Sequence, residues 1–200
     1  MRFLSLALLF IILGVAFLGC GGGAKSLQST SECDIPEWYT NIPQDTHYLL
    51  SAKTATSQDM QLSLDKATTD GRAEIGRQVD LRIQGLQKKF DEETGVGSDA
   101  QLLQQFTQAN KTVVSTSLSG SRIRTQKMCK DGNMWRSYVL VEYPIGATNQ
   151  ALMEQLRNNE QMYTRFRSSQ TFKDLDEEVQ KYDEWKKQQQ QPQTPGTEVK

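Results

Sequence analysis

The chain has 200 residues, with 23 Lys and Arg, 24 Asp and Glu and a single His, for a net charge of -1. That balance argues against a nucleic-acid-binding module, which carries a clear basic excess, and the composition fits neither a collagen, a coiled coil nor a polytopic membrane protein. Hydrophobic residues make up 36% of the chain but are concentrated at its start, so the remainder supplies one modest core rather than two domains.

Arg2 provides a short positive n-region. Residues 3–18, FLSLALLFIILGVAFL, are an apolar run of 16 residues. This is shorter than the roughly 20 residues a membrane-spanning helix needs and suits the h-region of a signal peptide. The run ends in Phe17-Leu18-Gly19-Cys20, followed by Gly21-Gly22-Gly23. This resembles the bacterial lipobox, although Phe17 stands where Leu is usual. The resemblance implies a signal peptide over 1–19 and a diacylglyceryl and palmitoyl anchor on Cys20. It also implies an outer-membrane address, because Gly21 rather than Asp follows the Cys. Residues 20–33 then read as the lipidated Cys and a Gly- and Ser-rich tether with a reach of roughly 20 Å.

The folded part is expected over 34–187. Ile35, Pro36, Trp38, Tyr39, Ile42 and Pro43 make a Pro-bounded apolar opening. Tyr48–Ala55 is a short strand candidate, and Ser57 and Asp59 are placed to cap the next helix. From Met60 to Phe90 the apolar residues Ile75, Val79, Ile83, Leu86 and Phe90 recur at steps of three and four, which puts them on one helical face. Gly71, Gly76 and Gly85 weaken that helix and mark either close packing or a bend. Gly95–Ser98 is a break. Leu102, Leu103, Phe106, Ala109, Val113 and Val114 suggest a further helix.

Ser121–Lys130 and Asn133–Tyr143 flank Asp131-Gly132, a type I′ turn pair, and predict a hairpin with Ile123 opposite Leu140, Thr125 opposite Tyr138 and Met128 opposite Trp135. Trp135, Val139 and Val141 then share one face, and Met134, Tyr138 and Leu140 the other, so both faces need cover. Gln150–Phe166 and Thr171–Trp185 read as the last helices, divided at Ser168-Ser169. In the second, Phe172, Leu175, Val179 and Tyr182 form an apolar stripe that serves a core or an oligomer seam. Residues 188–200, rich in Gln and Pro, read as a disordered tail. The fold class expected is α+β: a small β-α-β-β-α domain with a short antiparallel sheet packed by helices.

The lipobox, Pro36-x-Trp38, Asp70-Gly71-Arg72-Ala73-Glu74-Ile75 and Trp135-Arg136-Ser137-Tyr138-Val139-Leu140-Val141-Glu142-Tyr143-Pro144 together resemble the twenty-kilodalton outer-membrane lipoprotein family. Its domain is similar to the N-terminal domains of certain flagellar assembly proteins. The resemblance spans about residues 34–185, with Gly71 and Gly76 where Ala is common. It implies an envelope location, and in some relatives rings around the flagellar motor. It brings no catalytic residues.

Two cysteines remain besides Cys20. Cys33 and Cys129 are an even pair in an exported, oxidising setting. A disulfide between them would close a loop of about 97 residues, worth about 4.7 kcal/mol in the chain-entropy model; two unrelated free thiols are the alternative. His47 alone gives little scope for a metal cluster or a Ser-His-Asp triad. Asp174, Asp176, Glu177 and Glu178, followed by Lys181, Lys186 and Lys187, read as a solvated helix face ordered to suit the helix dipole.

No enzyme, cofactor or metal site is expected. The expected role is structural or assembly work in the cell envelope, on the periplasmic side of the outer membrane. The partners are the membrane through the lipid, and envelope proteins or a second copy of the chain. The rival is a periplasmic binding module for cell-wall glycan or lipid, using Trp38, Arg122 and Arg124 as a binding surface.

Overall fold

The structure is a computed structural model that describes residues 33–95 and 99–190. The expected signal peptide, Cys20, the tether up to residue 32 and the last ten residues lie outside them. Along the chain run α1 (Glu37–Thr40), β1 (Tyr48–Ser57), α2 (Met60–Thr94), α3 (Ala100–Gly120), β2 (Arg122–Asp131), β3 (Met134–Pro144), α4 (Ile145–Asn158), α5 (Glu160–Phe166) and α6 (Gln170–Gln190). The three strands form one antiparallel sheet in the order β1-β3-β2. This is the α+β class expected, with two helices between β1 and β2 and three after β3.

Local chemistry sets the helix limits. The Asp59 carboxylate accepts from the Leu62 N–H at 2.7 Å and starts α2. Gly95, at φ 67°, ends it in the left-handed conformation that Gly adopts without steric cost. Asp99 accepts from the N–H groups of Gln101 and Leu102 and starts α3. With 35 residues, α2 is about 52 Å long. Its stripe of Ile75, Val79, Ile83 and Phe90 is fully buried.

The core lies between α2 and the face of the sheet carrying Val139, Val141 and Tyr143, and extends to α3 through α6. Phe90, Phe106 and Phe166 meet in it, with ring centroids 4.6–6.2 Å apart. Phe172, Leu175 and Val179 of α6 are buried in the same core, so that stripe serves packing within the chain. The N–H and hydroxyl of Thr171 donate to Glu93, joining the start of α6 to the end of α2.

The two buried glycines of α2 do different work. A Cβ on Gly71 would lie 2.5 Å from Val141 Cγ2, so its absence lets the helix rest directly on the central strand. A Cβ on Gly76 would lie 3.0 Å from Leu118 Cδ2 of α3, so Gly76 serves the helix–helix approach.

Three expectations are corrected. In the hairpin, Asp131 pairs with Met134, Thr125 with Leu140 and Met128 with Ser137. The two-residue loop is therefore Gly132-Asn133, not Asp131-Gly132. Gly132 has φ 61° and Asn133 does not have positive φ, the pattern of a type II′ turn with Gly first rather than a type I′ turn with Gly second. The slip is of two residues, so from Thr125 to the turn each side chain keeps its expected face. A further irregularity between Ile123 and Thr125 shifts the base of the hairpin by one residue. Second, the helix expected over Gln150–Phe166 starts at Ile145 and is interrupted at Asn159, whose side chain accepts from the Met162 N–H and caps α5. Third, α6 continues to Gln190. Residues 188–190, expected to belong to a disordered tail, are therefore helical.

Candidate functional site

The face of β3 turned away from the helices carries Tyr138, Leu140 and Glu142, all buried. Two constructions cover it, one at each end of the sheet.

Near the hairpin turn, Cys33 is joined to Cys129 by a disulfide, with Cα atoms 5.2 Å apart. The bond holds the segment 33–41 across the sheet. Trp38 and Tyr39, on the single turn α1, pack against Cys33, Cys129 and Tyr138. The Tyr39 and Tyr138 rings meet edge to face at 5.0 Å. The Lys127 ammonium donates to the Asp34 carbonyl at 2.7 Å.

At the base of the hairpin, Arg122 and Arg124 point to one face and share Glu142. Arg122 Nε donates to Glu142 Oε1 at 2.6 Å, and Arg124 Nε lies 3.4 Å from Oε2. Arg124 Nη1 also donates to Asp45 Oδ2 at 2.9 Å, while the His47 N–H donates to Oδ1 of the same carboxylate. The Arg124 guanidinium lies over the Tyr48 ring, 5.8 Å from its centroid. The His47 N–H, followed by Arg124, holds the Asp45 carboxyl below its ordinary range against an opposing effect of burial. The hydrogen bond to Glu142 raises Arg122. A shallow cavity of about 430 Å³ opens beside the group, lined by Tyr48, Arg122, Ile123, Arg124 and Glu142. Two guanidiniums and two carboxylates cancel there, and both cations are already committed to acceptors within the chain.

Trp38, Arg122 and Arg124 therefore do not form one surface. Trp38 sits by Cys129, seven residues along β2 from Arg122, which is about 23 Å of strand. Its ring is half-buried against the disulfide. Glu142 and Asp45, which the sequence reading did not single out, are the residues that determine what the arginines do. The signal for Glu142 lies in the register: only with the corrected loop and the irregularity after Ile123 does Arg122 come opposite it.

Elsewhere, His47 is exposed and stacks on Trp185, with centroids 5.6 Å apart and planes 15° apart. The cleft beside them, about 280 Å³, contains Arg82, Asn149 and Glu178. Arg82 donates to both Asn149 and Glu178, and Asn149 donates to Glu178. The remaining acidic residues of α6 are dispersed: Asp176 pairs with Arg157, Glu177 with Lys181, and Asp174 accepts from Gln170. Between α2 and α3, Gly76 opens a mainly apolar groove of about 490 Å³, with Asp80, Asn110, Val114 and Leu118 in its walls. Among the described residues, no three His, Cys, Asp or Glu side chains converge as metal ligands.

No protein-family model matches the chain, and no curated protein matches it.

Proposed function

We propose that the chain is a bacterial outer-membrane lipoprotein, held by lipid on Cys20, whose periplasmic domain has a structural or assembly role in the cell envelope through contacts with envelope proteins or with its own copies. The observation that carries this reading is the lipobox at Leu18-Gly19-Cys20, with a disulfide beginning at Cys33, thirteen residues downstream. A disulfide suits an oxidising compartment, which is where such a leader delivers a chain.

The rival, a binding module for cell-wall glycan or lipid, draws less support. Its two arginines are neutralised by Glu142 and Asp45, and its tryptophan lies at the other end of the sheet. A place in the flagellar apparatus is a special case of the assembly role and rests on resemblance alone. Loss of motility without loss of growth on deletion would support it.

Mass spectrometry of the intact protein purified from membranes tests the main reading. The expected result is loss of residues 1–19, acyl chains on Cys20, a gain of two hydrogens on reduction, and an oligomer or a co-purifying envelope protein under native conditions. An unmodified soluble monomer would overturn it.

A further inference from the structure

We propose that the end of the domain bearing the hairpin turn and the disulfide rests on the phospholipid headgroup layer of the membrane that anchors the chain, with Ile35, Leu62, Trp38 and Trp135 as its contacts. The inference rests on the anchoring of Cys20 proposed above and adds an orientation to it.

The first argument is reach. Cys33 lies thirteen positions after Cys20, at most about 45 Å of chain even when fully extended. The start of the domain is not free to swing away from the sheet, because Cys33 is bonded to Cys129 beside the hairpin turn. The lipid is thus tied to one end of a molecule whose longest helix is itself about 52 Å long.

The second argument is what that end displays. β1 finishes there, with Ser57 opposite Trp135. The first turn of α2 is fixed beside it by the hydrogen bond between the Ser63 and Ser137 hydroxyls, 2.6 Å. Ile35 is 58% exposed, Leu62 47% and Met60 40%, which brings three of the most exposed large apolar side chains among the described residues to one end. Ile42, 40% exposed, lies between α1 and β1, and Leu81, Leu118 and Tyr163 are carried by other parts of α2, α3 and α5. Half-buried Trp38, Met134 and Trp135 lie at the same end, and the Lys130 ammonium sits 6.0 Å from the centre of the Trp135 ring. Tryptophan, with an apolar body and a polar N–H, is favoured at the headgroup level.

The charges of this end do not point to a charged partner. Lys127, Lys130 and Arg136 are offset by Asp34, Glu37, Asp59 and Asp131, and Arg136 pairs with Asp131. Contact is therefore made by apolar and aromatic groups and is insensitive to lipid charge.

The test uses the full-length protein from membranes, reconstituted into vesicles of phosphatidylethanolamine and phosphatidylglycerol whose acyl chains carry bromine near the headgroup. Intact mass of the same sample reports whether Cys20 is acylated. Bromine quenches nearby indoles, so Trp185→Phe, which keeps Trp38 and Trp135, should be quenched. The double variant Trp38→Phe with Trp135→Phe, which keeps only Trp185, should not. Because Ile35 and Leu62 are exposed, changing both to Glu leaves the fold intact and should cut quenching of the Trp185→Phe protein about twofold or more. Acylated protein whose Trp38 and Trp135 are unquenched would overturn this orientation alone, the outcome expected if a protein partner covers that end. An unmodified Cys20 would overturn the orientation and the anchor reading together.

Discussion

The two faces of the sheet are closed by different physics. On one side α2 lies along the strands and the core is a continuous apolar volume, from Val139 and Val141 to the three phenylalanines. On the other side the cover is the short segment 33–41, one helical turn and a few salt bridges. A helix of 35 residues stays in place by the area it buries. A segment of nine residues cannot bury enough to offset the entropy of ordering it, and here a covalent bond holds it. A small sheet that needs cover on both faces thus draws on burial where it has a long element and on a crosslink where it has not.

Substitutions can break that contrast in order of size. The largest effect is expected from Phe166→Ala, which empties a site shared with Phe90 and Phe106 and should cost about 3–5 kcal/mol in denaturant unfolding. Retention of wild-type stability would mean that the helical side is less tightly packed than described.

Replacing Cys33 and Cys129 together by Ser should cost about 2–5 kcal/mol. Its signature should be local as well: proteolysis or hydrogen exchange should expose the segment 33–41 and Tyr138 first, with the amides of α2 still protected at the onset. Simultaneous exposure of both sides would remove the distinction between them.

Gly71→Ala is a finer probe. It adds helix propensity, yet its Cβ would lie 2.5 Å from Val141 Cγ2, so a net loss of about 1–3 kcal/mol is expected from overpacking. Gly85, where a Cβ meets nothing within 4 Å, is the control: Gly85→Ala should stabilise by up to about 1 kcal/mol.

The smallest effect belongs to Asp45. Its carboxyl is held below the ordinary 3.8 by the His47 N–H and by Arg124. The stability it contributes is therefore complete above that value and is lost as pH falls through the lowered one. Thermal midpoints measured from neutral pH downward should converge between the wild type and Asp45→Asn as acid removes what the substitution already removed. A constant gap across that range would show that Asp45 acts without its charge.

Much of the helical side was legible in the sequence. The Asp59 cap, the break at Gly95 and the apolar stripe through Ile75, Val79 and Ile83 are local signals, each read within a turn or two of chain, whereas the Asp99 cap of α3 was not read from the sequence. The hairpin was legible as an element but not in its register. Asp131-Gly132 and Gly132-Asn133 are both acceptable two-residue loops, distinguished only by whether Gly takes the second or the first position. The break at Asn159 was hidden because apolar spacing runs on through it.

The base of the open face was least legible. Arg122 and Arg124 look like free cations until strand pairing brings Glu142 opposite and the approach to β1 brings Asp45 alongside. Such pairings arise from tertiary register, which neither composition nor periodicity records.

The crosslink also determines how the domain bears a load. Cys33 and Cys129 close a covalent ring around β1, α2, α3 and most of β2. A pull applied ahead of Cys33 therefore passes through the two sulfurs to Cys129 and enters the hairpin beside its turn, bypassing everything within the ring. If the opposing hold lies beyond β3, tension runs along the central strand, which is clamped by a ladder of hydrogen bonds on each side. The extended strand carries that tension along its own backbone, while the long helix behind it carries none of the force.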